Sequence, residues 1–346
     1  MQAIVKYGRK SGEVQVQEVA APEMRPDRVK LEVKAAGVCG SDLHMWREHH
    51  SWKIKMPLVL GHEFCGVITE VGEQVTGFQP GERVTCETAA EICGRCVYCL
   101  SGKYNMCPHR LGYGALVDGA FTNYVVARPQ ILHRIPDHVS FEDAALTEPI
   151  CVAYNAAVEK TPINPGDIVV IQGPGPIGIM ALQLVRLRGA GSIVMLGTDA
   201  DAGRLQTARK LGATHTVNIQ QEKPVELIRS LGDGFGADVV IDCTGVSVAL
   251  KQALELIRPT GHITKVGWGP QPLDFSLDPL VQKAVTLQGS FSHTYATWER
   301  ALALLSNGQI DLKPVIGGVY ELPRWEEAFT RMEAGECVKS VLRIAR

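Results

Sequence analysis

Four cysteines constrain this chain more than any other feature. Cys93, Cys96, Cys99 and Cys107 are spaced C-x2-C-x2-C-x7-C within a single short segment. Four thiolates this close can surround one tetrahedral zinc ion, and four protein ligands leave no open position on the metal. Such a site binds no substrate. It would instead hold a loop-rich lobe that lacks a core of its own. The other six cysteines, Cys39, Cys65, Cys86, Cys151, Cys243 and Cys337, are scattered. Clustered cysteines in a long chain without an export signal favour metal over disulfides, and scattered ones are expected to be small buried side chains.

The chain has 346 residues, enough for two domains with substantial cores. Its net charge is -2, and no long basic run exists to attract nucleic acid. Met1–Gly8 alternates like a short strand and lacks the basic start and apolar stretch of a signal peptide. No apolar run is long enough to span a bilayer, so a cytoplasmic location is expected.

Up to about residue 150 the pattern is that of short strands and turns, with strands expected at Val29–Ala36, Phe64–Val71 and Phe121–Ala127. From Asn164-Pro-Gly-Asp onward, apolar strands alternate with helical patterns. Strands are expected at Ile168–Gln172, Ile193–Leu196, Val239–Asp242 and His262–Val266. Helices are expected at Ile177–Arg188, Gly203–Leu211 and Ser247–Ile257. This alternation predicts an α/β fold with a doubly wound parallel sheet. After Gly289 the pattern loosens, and Ser340–Ile344 reads as a final strand.

Gly173-Pro-Gly-Pro-Ile-Gly178 follows an apolar strand and opens a helix, the context that gives a glycine motif its meaning. Gly173, Gly175 and Gly178 let the backbone turn tightly and approach a pyrophosphate. Pro176 and Ile177 start a helix whose N-terminus favours that charge. Asp199 lies 21 residues beyond Gly178, at the end of the next strand. A carboxylate there accepts hydrogen bonds from ribose hydroxyls and repels a 2′-phosphate, which favours NAD. Arg204, close by, leaves NADP open.

A second metal site is suggested upstream. Cys39 and His62 are suitable zinc ligands, Glu63 follows at once, and Glu148 lies just before the nucleotide-type segment. Three protein ligands with one open position would make a Lewis acid. Spacing alone leaves ordinary roles open: a core histidine for His62, a helix-start acid for Glu148.

These stretches, with Gly37-Val-Cys-Gly-Ser-Asp-Leu-His44 and Asp118-Gly-Ala-Phe-Thr-Asn-Tyr124, resemble the zinc-containing medium-chain dehydrogenase/reductase family over essentially the whole chain. Within it they look most like the polyol (sorbitol, xylitol) dehydrogenase branch. The resemblance implies a GroES-like β-rich catalytic domain from residues 1–150 and 290–346, and a Rossmann domain from 151–289. It implies two zinc ions per chain, NAD as cofactor, and oxidation of a polyol hydroxyl to a ketose in the cleft between domains. Cys39, His62, Glu63 and Glu148 would serve the catalytic zinc, Ser41 and His44 a proton relay. Cys243, Val266 and Gly267 would join the cofactor site, and Trp46, Tyr113 and Phe121 the substrate pocket. Homodimers or homotetramers would form at the sheet edge near Val285–Gly289. Neither nucleic acid nor membrane is expected as a partner.

Two departures from the family pattern bear on substrate. Glu87-Thr-Ala-Ala-Glu-Ile-Cys93 lacks the histidine that threonine dehydrogenases carry there, and Ser290-Phe-Ser-His-Thr-Tyr295 lacks the arginine usual in sorbitol dehydrogenases. The loop Met45–Lys53 combines Trp46 and Trp52 with Arg47, His49, His50 and Lys53. It is expected to act as a substrate lid able to meet an acidic group, or else as a solvated loop. A threonine-type, sugar-acid or sugar-phosphate dehydrogenase is therefore the alternative.

Overall fold

A computed structural model describes residues 1–344. The N-terminal strands and the end of the chain share one seven-stranded sheet. Its order runs Ile316–Glu321, Lys339–Arg343, Val29–Gly37, Glu63–Val71, Arg83–Cys86 and Leu132–Arg134, and Tyr124–Ala127 also pairs with Val29–Gly37. A three-stranded sheet (Val14–Glu18, Gln2–Lys6, Leu58–Val59) lies beside it. The expected strand at Phe121–Ala127 begins only at Tyr124. Phe121 is buried instead, and its ring lies 2.4 Å from where a Cβ on Gly61 would sit.

The middle of the chain forms a six-stranded parallel sheet. Its order is His215–Asn218, Ser192–Gly197, Ile168–Gln172, Ala237–Asp242, Ile257–Lys265 and Thr286–Gly289. In chain order this is 3-2-1-4-5-6, so the sequence of strands reverses beside Ile168–Gln172. That strand is buried along its whole length, which explains its unbroken apolar run. Helices Pro176–Leu187 and Thr147–Tyr154 cover one face of the sheet within one continuous apolar core.

The stretch after Gly289 is more ordered than its sequence suggested. It contains helices Tyr295–Ser306 and Trp325–Glu333. The first buries Trp298, Ala301, Leu302 and Leu305, one face of a 3.6-residue period that its polar neighbours interrupt. Trp298 and Ala301 join the core that includes Ile171 and Ile179, whereas Trp325 and Phe329 join the core of the N-terminal sheet. Among the described residues, no helix is long and apolar enough to cross a membrane.

Candidate metal and cofactor site

Strand Val29–Gly37 leads through Cys39 into the short helix Gly40–Trp46. Cys39 sits at the helix start, where the Asp42 carboxylate accepts its backbone N–H at 2.8 Å. The other Asp42 oxygen accepts the Gly61 N–H at 3.3 Å and lies 3.8 Å from His62 Nδ1. One buried carboxylate thus ties the cysteine to the histidine across 23 residues of chain. Asp42 was not among the expected site residues. Its signal was an acid three positions into a helix start, on the scale of a capping box.

Glu63 begins strand Glu63–Val71 and pairs across the sheet with Gly37. A Cβ on Gly37 would lie 2.2 Å from Glu63 Oε2, so glycine makes room for this carboxylate. The ligand atoms of Cys39, His62 and Glu63 all lie within 4.8 Å of one another. Glu63 also faces Lys339, whose Nζ lies 2.7 Å from Oε1 and 2.6 Å from Oε2. Both side chains are essentially inaccessible, yet Oε2 makes no directed hydrogen bond. Burial pushes the Glu63 carboxyl up, and Lys339 pulls it back only in part. Lys339 stays charged: Glu63, Cys39 and Glu148 hold its ammonium above the usual value against the cost of burial. A thiol, an imidazole and a carboxylate oxygen without a hydrogen bond, converging on one point, fit a zinc ion.

Glu148 stands outside this trio. It lies in the first turn of Thr147–Tyr154 and faces His293 Nε2 at 3.2 Å, while Trp298 Nε1 donates to His293 Nδ1 at 2.7 Å. His293 keeps the Glu148 carboxyl below the usual range despite burial. The side chain expected as a fourth metal group is thus taken by a histidine 145 residues away.

Ser41 and His44 are three apart on helix Gly40–Trp46, a spacing that puts them on one face. His44 is exposed, and burial of its inner edge, with His49 and His50 nearby, lowers its pKa. It is therefore neutral, and able to accept a proton, at pH 7.

The four-cysteine cluster is assembled as its spacing predicts. All four sulfurs lie within 4.8 Å of one another and none is in a disulfide. Three S–S separations are 3.5, 3.6 and 4.0 Å. A zinc–sulfur bond of about 2.3 Å implies tetrahedral edges of about 3.8 Å, so the cage fits that ion.

The glycine loop lies at the carboxyl edge of the parallel sheet. Gly173 has φ +91°, and Gly175 precedes Pro176, the first residue of helix Pro176–Leu187. A Cβ on Gly178 would come within 2.0 Å of the Gly173 carbonyl oxygen, so only glycine lets helix and strand pack this closely. Ile177, partly buried, follows in the first turn. Cys243 N donates to the Gln172 carbonyl, and Val266 N and Gly267 N donate to that of Asp242. These loops gather where the strand order reverses, the usual place for a dinucleotide in such sheets.

Asp199 Oδ1 accepts from Asn218 Nδ2 at 2.6 Å and Gln221 Nε2 at 2.7 Å, leaving Oδ2 without a protein partner among the described residues. A cavity of about 290 Å³ opens beside it. Arg204 is committed elsewhere. It donates to the carbonyls of Met332 (2.7 Å) and Cys337 (3.1 Å), at the end of helix Trp325–Glu333, and also reaches Asp201.

The three expected pocket side chains are core residues. Trp46 is 4% exposed and packs edge-on against Trp325 and Phe329. Tyr113 is 4% exposed and donates to the Val126 carbonyl, and Phe121 is fully buried. The loop after Trp46 is pinned, which a mobile lid would not be. Arg47 stacks on Trp46 and forks onto Glu333, while Glu48, at φ +59°, meets buried Lys6 at 2.7 Å. Different aromatic side chains line up beside His44: Trp52 at 6.4 Å, then Trp268, then Phe291.

Comparisons with known proteins agree with this geometry. The family model for the alcohol dehydrogenase GroES-like domain matches residues 25–137, and that for zinc-binding dehydrogenase matches residues 176–307. The chain is 41% identical to a sorbitol dehydrogenase of Halalkalibacterium halodurans over 343 residues, covering 99% of each chain. It is 37% identical to a D-arabitol-phosphate dehydrogenase of Enterococcus avium, covering 94% of this chain and 92% of that one. Among solved structures, an alcohol dehydrogenase from Thermus sp. ATN1 superposes with a TM-score of 0.90 at 30% identity, covering 100% of both chains.

Proposed function

The chain belongs to the zinc-containing medium-chain dehydrogenase family, in its polyol dehydrogenase-like branch, and on that premise we propose that it oxidises a secondary hydroxyl of a polyol to a ketose with NAD. The observation that carries this reading is the convergence of Cys39, His62 and Glu63 beside the helix bearing Ser41 and His44.

Zinc, when bound by Cys39, His62 and Glu63, supplies a Lewis acid for the substrate hydroxyl. NAD, when bound at the Gly173–Gly178 loop, supplies the hydride acceptor. The substrate carbon loses its C–H bond as hydride, and the hydroxyl loses its proton. Ser41 passes that proton toward His44, which is neutral at pH 7 and exposed, and so can return it to solvent. Asp42 keeps Cys39 and His62 in register, and His293 holds the Glu148 carboxylate. At the other end of the cofactor site, Asp199 Oδ2 is free to accept from the adenosine ribose hydroxyls. Arg204, held by the Met332 and Cys337 carbonyls, is not free to meet a 2′-phosphate. Both features favour NAD over NADP.

We assign the catalytic part to residues 1–150 and 290–346 and the nucleotide part to 151–289. The outer edge of Thr286–Gly289 ends the parallel sheet and is available to pair with a second copy in a homodimer or homotetramer.

Initial rates of NAD and NADP reduction against pentitols, hexitols, aldonates, sugar phosphates and threonine test the proposal, each with and without a zinc chelator. The expected result is a chelator-sensitive rate on a polyol-type substrate with NAD preferred, and an Asp199→Ala variant whose NAD:NADP preference falls at least tenfold. A rate that survives loss of the Cys39 metal, or a rate on threonine alone, would overturn it.

A further inference from the structure

Arg110 follows the four-cysteine lobe, three residues after Cys107. It is partly buried, burial lowers its pKa, and its Nε is sealed from solvent with no partner among the described residues. One hydrogen bond is made, from Nη2 to Thr88 Oγ1 at 2.7 Å, out of five N–H groups in the fork. Glu87 and Glu148 are near enough for their charges to act on it. Both carboxylates are already engaged, however: Glu87 by Tyr104 and His133, Glu148 by His293. Among the described residues Arg110 makes no ion pair.

Two lines connect this cation to the reaction site. Its charge acts on Glu148, whose carboxylate in turn acts on His62 and Glu63. Through Phe291, over whose ring its guanidinium sits at 5.7 Å, it joins the aromatic row that runs by Trp268 and Trp52 to His44. The Phe291 segment is fixed from two sides. Asn105 and Asn155 donate to the Phe291 carbonyl, and Asn155 also to that of Ser292, which is held at φ +56°. A partly buried guanidinium with unspent donors beside a fixed aromatic segment is a strong site for a planar or tetrahedral oxyanion.

Taking polyol oxidation as given, we propose that Arg110 binds an anionic group, phosphate or carboxylate, on the substrate, away from the hydroxyl that reacts. The aromatic row then packs against the carbon chain between the two ends. Arg47, the cation suggested by the sequence, is unsuited to this role because Glu333 and Trp46 hold it.

D-arabitol, D-arabitol phosphate and D-arabinonate form a matched set for the test. The quantity read is the ratio of kcat/KM for each anionic member to that for the neutral one. In the wild type the ratio is expected to exceed one by about 10–100-fold, the value of a charged hydrogen-bond pair. The phosphate and carboxylate arms separate the two sources of charge. Arg110→Gln should lower the ratio by a similar factor, mainly through KM, and Arg110→Lys should retain part of it. A wild type that prefers the neutral polyol, or a ratio unchanged in Arg110→Gln, overturns the assignment. If Arg110→Gln does not fold, the intermediate ratio expected of Arg110→Lys decides, and a ratio equal to wild type refutes it. Thermal shift of NADH-saturated enzyme by D-arabitol phosphate needs no turnover. A shift in wild type that Arg110→Gln loses supports the site even if no polyol is oxidised, in which case only the reaction reading fails.

Discussion

Replacing Lys339 by methionine removes the cation from a pair in which both side chains are inaccessible. The change keeps most of the volume and leaves Glu63 buried near Cys39 and Glu148, two further groups that lean on the same ammonium. Breaking a buried ion pair by removing one partner costs about 3–5 kcal/mol. Unfolding entropy of about 2.1 cal/mol/K per residue, over 346 residues, converts this to a fall in Tm of about 4–7 °C. A zinc ion held by Cys39, His62 and Glu63 would supply positive charge at the same place, so the loss should be at least halved when that ion is present. The assay is calorimetric melting of wild type and Lys339→Met. Each is measured with two zinc ions per chain and with one, after a chelator has emptied the open site and spared the four-cysteine site. An equal loss in both metal states would refute the idea that Glu63 faces the metal. No loss in the one-zinc state would refute the argument from burial.

Two further outcomes follow from the site. His44→Asn should lower kcat for alcohol oxidation by about 100-fold, with partial rescue by added imidazole. Because the His44 pKa is lowered, its neutral form persists below the ordinary histidine range, so the acid limb that His44 contributes in wild type should fall below pH 6.5 and vanish in the variant. Asp42→Asn should weaken binding of the Cys39 metal about 10–100-fold, read by competition with a chelator, while the four-cysteine metal stays at one per chain.

Much of the site could be read from the sequence because its geometry is local. The Cys93–Cys107 cage closes within one short loop, and the glycine loop needs only a strand before it and a helix after it. Cys39 and His62–Glu63 required one more step, since they meet only because neighbouring strands place Gly37 opposite Glu63. Helix Tyr295–Ser306 carried a readable period that its threonine and charged residues masked.

What spacing could not supply was the choice of partner. Glu148 turns to His293, Glu63 to Lys339, Arg204 to the end of a helix 128 residues on, and Trp46 to Trp325. Each of these side chains has the chemistry its expected role requires, and no local pattern separates a free carboxylate from one already matched. Period and spacing determine which residues form strands, loops and cages. The low-dielectric interior decides which charges can stay unpaired, because that cost depends on neighbours brought together only by the tertiary fold. Arg110 has the same identity in sequence as Arg204, and its place beside Phe291, without an ion pair among the described residues, is what distinguishes it.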